Sequence, residues 1–181
     1  MKPPHRDRSE AQGEFSRVYE EHVWTVYGFL AYRTRNQATA EDLTQATFEH
    51  ALRAWSRFDP RKGSHRTWLL TIARNLMIDH HRRDRSSRVA VDEGMLPPVA
   101  GPEERPMASH EIAEALSQLG DRDREVIALR FGGDLTGPEI AEVLGLTLAN
   151  VQQILSRSLR KLRAILDETG SSELRGGART R

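Results

Sequence analysis

Residues 135–163 read LTGPEIAEVLGLTLANVQQILSRSLRKLR, and the order of start signals, turn and apolar positions in them spells a helix-turn-helix. Thr136 stands where an N-cap belongs and Glu139 follows three residues on, a capping box around the Gly137-Pro138 pair that opens the first helix. That helix runs over 139–144. Ala141 is small where two helices cross, Gly145 can take the left-handed backbone of a tight turn, and Thr147 can cap the second helix. Ile140, Leu144, Leu146, Val151 and Ile154 fall where the two helices face each other. Periodicity alone also fits an amphipathic hairpin with no ligand. The small residue, the turn glycine and both caps together favour a unit that lays its second helix in a DNA major groove.

The chain has 181 residues, enough for one ordinary domain or two small ones. Its formal net charge is +1, but the charges are unevenly placed. Residues 61–88 gather Arg61, Lys62, Arg66, Arg74, Arg82, Arg83, Arg85 and Arg88 against Asp79 and Asp84, a cationic patch suited to phosphate contact. Alone, such a run is more often a solvated face. The absence of cysteine excludes a disulfide framework and thiolate metal sites. No apolar run approaches the ~20 residues of a membrane span, and the opening MKPPHRDRSEAQGE (1–14) lacks the apolar stretch of a secretion signal. A cytoplasmic protein without membrane insertion is the expectation.

Upstream of the helix-turn-helix, Phe15, Val18, Tyr19, Val23, Val26, Tyr27 and Leu30 recur at helical spacing and predict a helix over 15–32. A second helix follows, with Thr39 as its cap and Asp42 at its third position facing the exposed amides. Leu43, Ala46, Thr47, Ala51 and Leu52 give it an apolar stripe that ends near Trp55. FDPRKGS (58–64) breaks the pattern. Ser64 opens a third helix in which Trp68, Leu69, Ile72, Ala73, Leu76 and Met77 face inward, and its end, HHRRDR, is basic. Residues 86–107 turn to proline, glycine and acids, the composition of a flexible linker. Helices over 109–119 and 121–131, the latter capped by Asp121, precede the helix-turn-helix. The expected fold is all-α: a three-helix domain (14–85), a linker (86–107), a four-helix domain (108–167) and a disordered tail (168–181).

Three ordered stretches, DLTQATFEHALRAW (42–55), FDPRKGSHRTWLLTIARNLMIDHHRR (58–83) and DREVIALRFGGDLTGPEIAEVLGL (123–146), closely resemble bacterial RNA polymerase sigma factors of the extracytoplasmic-function (ECF) group. The resemblance implies a protein that binds core RNA polymerase, directs it to promoter DNA and helps to melt the start site, with no cofactor and no small-molecule substrate of its own. It implies that the stretch 42–55 docks on the polymerase clamp through Asp42, Gln45, Glu49 and Arg53, with Leu43, Leu52 and Trp55 as core. The loop 60–67, with Arg61, Lys62, Ser64, His65 and Arg66, and the helix through Asn75 resemble the part that opens the minus-ten element and captures an unpaired base. A basic glycine-bearing loop can approach single-stranded backbone closely, and an asparagine offers a base edge both donor and acceptor. Arg74, Arg82 and Arg83 would hold phosphates. Trp68 has a stacking surface but is assigned to the core.

The helix after Thr147 resembles the family's reader of the minus-thirty-five element, which puts Asn150, Gln152, Gln153, Ser156 and Arg157 on or near its groove side. Arg157, Arg160, Lys161 and Arg163 would meet phosphates or the polymerase flap. Gln152, Gln153 and Ile154 depart from the family's basic pattern there, and glutamine can pair bidentately with adenine while contributing no charge. Many relatives are held by an anti-sigma factor, so such a partner is also implied. The linker, when extended, covers tens of ångströms, roughly 3.3 Å per residue, and in the free chain it also lets the domains fold together.

A helix-turn-helix regulator that is no polymerase subunit is the alternative, since response regulators carry the same unit. A receiver domain, however, alternates strands and helices, whereas the first domain reads as three helices. An enzyme has little support: His80 and His81 are adjacent and point to different helix faces, no histidine pair has a carboxylate at metal-ligand spacing, and no Walker loop or nucleophile elbow occurs.

Overall fold

The structure, a computed structural model, describes residues 8–34, 36–87 and 110–176. In order, they form α1 (Arg8–Thr34), α2 (Gln37–Ala54) with a 3-10 turn (Trp55–Arg57), α3 (His65–Ser87), α4 (His110–Ser117), α5 (Asp121–Ile127) running into a π-helical turn (Ala128–Gly132), α6 (Gly137–Leu144) and α7 (Leu148–Gly176). Among the described residues there is no strand. Helices α1–α3 make one unit and α4–α7 the other, as the sequence implies. Of the predicted linker, residues 86 and 87 finish α3 and the remainder lies outside the described residues. Of the predicted disordered tail, α7 continues to Gly176 and 177–181 lie outside them.

Phe15 of α1 sets its ring edge-on to Phe48 of α2 and to Trp55, with centroids 6.5 and 5.1 Å apart. Together with Val18, Ala40 and Ala51 they anchor the first core. The cap of α2 is Asn36, whose side chain accepts from the Thr39 amide at 2.8 Å. Thr39 is therefore the third helical residue and Asp42 lies a turn farther in, contrary to the sequence reading. Thr34 donates to the Asn36 carbonyl at 3.0 Å, which fixes the earlier start. The buried stripe of α2 is Ala40, Thr44, Thr47, Phe48 and Ala51. Leu52, expected in the core, is 53% exposed, because Phe48 takes the inward position one turn earlier. Thr44 and Thr47 donate to the carbonyls of Ala40 and Leu43 at 2.7 and 2.6 Å, so their hydroxyls enter the core satisfied. Ser64 caps α3 by accepting from the Thr67 amide at 3.2 Å, and Leu69, Leu70, Ala73 and Met77 carry its buried face.

In the second unit α5 is preceded by Gly120 as N-cap, with no side-chain cap bond; Asp121, expected as the cap, is the first helical residue, where its charge still faces the helix N-terminus. The helix-turn-helix forms as its sequence requires. The Glu139 carboxylate accepts from the Thr136 amide at 2.8 Å and its hydroxyl at 2.6 Å. Gly145 has φ 62°, and the Leu146 amide reaches back to the Ala141 carbonyl at 2.9 Å while the Gly145 amide reaches Glu142 at 3.2 Å, a Schellman stop. Thr147 then caps α7 through the Asn150 amide at 3.2 Å.

The two units pack on each other and share one continuous apolar core, in which Phe29, Leu30 and Leu70 from the first join Val126, Leu129, Leu135 and Ile140 from the second. At the seam the backbones of Gly28 and Gly132 touch: a Cβ at Gly28 would lie 2.9 Å from the Gly132 oxygen, and one at Gly132 would lie 2.7 Å from the Gly28 oxygen. Glycine inside a helix costs roughly 0.5–1 kcal/mol relative to alanine. Close approach across this seam is what requires it in the middle of α1.

Candidate nucleic-acid interface

On α7, Val151, Ile154 and Ser158 are buried against the domain, while Asn150, Gln152, Gln153, Ser156, Arg157 and Arg160 are exposed. All six predicted readers therefore occupy the arc that faces away from the core. Five side chains of this arc are uncharged or open to solvent; Arg157 is already paired, with its guanidinium on Asp123 of α5. That hydrogen bond raises the Arg157 pKa. The neighbouring Lys161 donates to the Gln118 carbonyl. The basic edge of α7 thus folds toward α5 and the turn before it, and the polar amides stand at the centre of its free face.

The second predicted surface is built on the loop before α3 and on α3 itself. Asp59 organises the loop by accepting from the Arg61 amide at 3.0 Å through its carboxylate and from the Lys62 amide at 3.0 Å through its carbonyl, and both basic side chains remain exposed. Ser64 is spent as the α3 cap. His65 stacks on Phe58 and Trp55 with centroids 4.3 and 5.4 Å apart, and Trp68 tilts against Phe58 at 5.0 Å. The histidine is thus part of an aromatic floor under the loop, and Trp68 is partly buried against the core. Asn75, Arg82 and Arg83 are exposed, with Arg82 3.8 Å from Asp79. Arg66 and Arg74 are held by the other domain. Arg66 reaches Asp134 and Glu139 at 3.3 Å each, and Arg74 reaches the buried Glu125 at 2.8 Å.

On α2, Asp42, Gln45, Glu49 and Arg53 share one exposed row. Glu49 accepts from Gln45 at 3.1 Å and from Arg53 at 3.4 Å, which leaves the row ordered along the helix. Beside it runs a groove of about 630 Å³ lined by Tyr19, Val23, Trp24, Tyr27, Phe48 and Leu52, with Glu41, Gln45 and Glu49 at its edge. Tyr19 and Trp24 are 45% and 47% exposed. Exposed aromatics of this kind mark contact surfaces, and Trp24 is a residue that sequence reasoning missed. Its signal is phase: it falls off the stripe of Val23, Val26, Tyr27 and Leu30 that defines the buried side of α1. Among the described residues, no group of three or more His, Cys, Asp or Glu could hold a metal ion, and no helix is long and apolar enough to cross a membrane.

Comparison with known proteins places both units. Sigma-70 region 2 matches residues 18–87 and Sigma-70, region 4 matches residues 115–164. Over 161 residues the chain is 32% identical to the ECF RNA polymerase sigma factor BldN of Streptomyces coelicolor, covering 85% of this chain and 61% of that protein. It is 32% identical over 166 residues to the RNA polymerase sigma factor CarQ of Myxococcus xanthus, covering 90% of this chain and 95% of the relative. Among solved structures, the sigma factor RpoE in complex with the anti-sigma factor NepR from Bartonella quintana shares the fold, with a TM-score of 0.73 over 85% of this chain and 97% of that one at 20% identity.

Proposed function

The chain belongs to the extracytoplasmic-function group of bacterial RNA polymerase sigma factors, and from that membership we propose how its surfaces divide the work of initiation. The row Asp42, Gln45, Glu49 and Arg53, with the groove of Tyr19, Trp24 and Leu52 beside it, is the face that meets core RNA polymerase. The loop with Arg61 and Lys62, together with Asn75, meets the unpaired minus-ten strand, and Arg82 and Arg83 hold its phosphates. The exposed arc of α7 reads the minus-thirty-five element. Catalysis belongs to the polymerase, so the chain acts where polymerase acts, in the cytoplasm. An anti-sigma protein is a further expected partner; the complex of RpoE with NepR supports that reading.

The observation that carries this proposal is the recognition arc: six polar side chains on α7 stand exposed while Val151 and Ile154 bury the opposite face. Amides at its centre give direct readout with little electrostatic attraction. Substituting Gln153 by alanine is expected to change preference at one or two positions of the minus-thirty-five element by about 1–3 kcal/mol, the scale of a bidentate pair. Arg157→Ala is expected to weaken binding to all sequences and to flatten the salt dependence. Selection of bound sequences from a randomised element separates the two signatures, and an unchanged motif for both glutamine variants, Gln152→Ala and Gln153→Ala, would remove α7 from base readout.

A further inference from the structure

We infer that His65 is a positioning residue for the single-strand loop: its ring, stacked on Phe58, clasps the two ends of residues 59–64 together, and the charge that ring can carry makes the loop's grip on a phosphate backbone depend on pH. The inference rests on the assignment of this loop to the unpaired strand and adds to it the device that holds the loop in shape.

The clasp follows from where the rings fall in the chain. Phe58 is the last residue before the loop and His65 the first of α3 after it, and their rings stack with centroids 4.3 Å apart at 27°. Trp55 lies nearly parallel to both, 5.9 Å from Phe58 and 5.4 Å from His65, and Trp68 tilts against Phe58 at 5.0 Å. Phe58 has no side-chain donor or acceptor, and the buried Trp55 Nε1 has no hydrogen-bond partner among the described residues. Ring contact therefore holds this floor. Above it, Asp59 turns the loop by taking the Arg61 and Lys62 amides at 3.0 Å each. With its ends pinned and its tip turned, the loop presents the exposed Arg61 and Lys62 with little freedom left to lose on binding.

A phenylalanine would close the loop as well; a histidine adds a charge. His65 is half-buried, so solvent protons reach it. The charged groups on the elements packed around it are Arg57 in the turn, Asp59, Arg61 and Lys62 in the loop, Arg66 on α3 with its partners Asp134 and Glu139, and on α1 His22 with Glu21 3.9 Å away. Burial, opposed by the Glu21 charge and reinforced by His65 and Arg66, holds His22 below the usual histidine range. His22 therefore stays neutral where an ordinary histidine gains its charge. A phosphate backbone laid on the loop favours an imidazolium in its floor, so strand and proton favour each other's binding. The charged ring also gains cation–π attraction to Phe58 and Trp55. Single-strand affinity is accordingly higher in mild acid and falls as the pH rises through the histidine range.

Binding of the entire chain to a fluorescent single-stranded DNA of mixed sequence, followed by anisotropy from about pH 5.5 to about pH 8, tests the clasp, with urea unfolding as the check that each variant is folded. His65→Ala, which loses both stack and charge, is expected to bind about two- to tenfold more weakly than the parent, the worth of a stacked ring pair. His65→Phe keeps the stack: it is expected to match the parent at the alkaline end and to tighten about two- to fivefold less on going to acid, the worth of a cation over a ring. His22→Gln is expected to tighten as the parent does. The clasp is overturned if His65→Ala binds like the parent throughout, if His65→Phe tightens in acid as much as the parent, or if His22→Gln is the variant that loses the tightening, in each case with Arg61→Ala plus Lys62→Ala binding weakly. Should that double variant bind as tightly as the parent, the loop is not the strand's site, and the assignment of the loop fails and takes the clasp with it.

Discussion

Glu139 joins the two domains through one carboxylate, accepting from Thr136 within the helix-turn-helix and from Arg66 across the seam. Burial pushes its pKa up, but the hydrogen bonds from the Thr136 hydroxyl and amide, with the Arg66 hydrogen bond and charge, outweigh that and hold it below the ordinary glutamate value. A carboxylate whose folded pKa is depressed contributes stability that is fully present above its unfolded pKa and is lost as pH falls through the folded one. The stability difference between the parent chain and Glu139→Gln in urea unfolding is therefore expected to be constant at neutral and mildly acidic pH and to shrink as the pH falls below the ordinary glutamate range. A difference that persists unchanged into strong acid would show that Glu139 acts without its charge. At this scale the sequence was most legible where one residue meets its near neighbours. Thr136, Glu139, Gly145 and Thr147 could be read directly, since each satisfies backbone groups within a few residues. The partners of Arg66, Arg74 and Arg157 could not, because a run of arginines shows that anions are wanted and not which anion is within reach.

Among the elements, α2 shows how a helix can be recognised while its phase is mistaken. Asn36 and Thr39 are both good caps, and taking the later one places Asp42 in the first turn, while the stripe of Leu43, Ala46, Thr47, Ala51 and Leu52 separately places Leu52 in the core. Phe48 decides the true phase: its ring packs edge-on against Phe15 and, at 4.8 Å, against Tyr19, contacts with another helix that propensity does not encode. The row Asp42, Gln45, Glu49 and Arg53 survives this correction, since those residues lie opposite Ala40, Thr47 and Ala51 whichever cap is used. Charge reversal at both ends of the row, Asp42→Lys with Arg53→Glu, is expected to abolish co-purification with core polymerase and leave the helical circular dichroism unchanged. Both positions are exposed, so each substitution alone should change stability by no more than about 0.5 kcal/mol. Undiminished binding of core by the double variant would move the contact off this face, with the groove of Tyr19, Trp24 and Leu52 as the remaining surface on these two helices.

The whole molecule combines two domains that the sequence separates and the structure joins. The change of composition after residue 85 suggests a division, and α3 runs on to Ser87; the seam itself depends on Gly28 meeting Gly132 and on Arg74 meeting Glu125, pairs far apart in the chain. The glycine in the middle of α1 passes unnoticed in the sequence, because its reason is a partner more than a hundred residues away. The measurement that tests this account most directly is in vitro transcription by core RNA polymerase from a library of genomic fragments, with and without the chain. Transcripts that start at defined sites only when the chain is present, downstream of two shared elements at a fixed spacing, are the predicted result. Equal transcription with and without the chain, from a protein that binds DNA but never core polymerase, would contradict it and leave a helix-turn-helix regulator in its place.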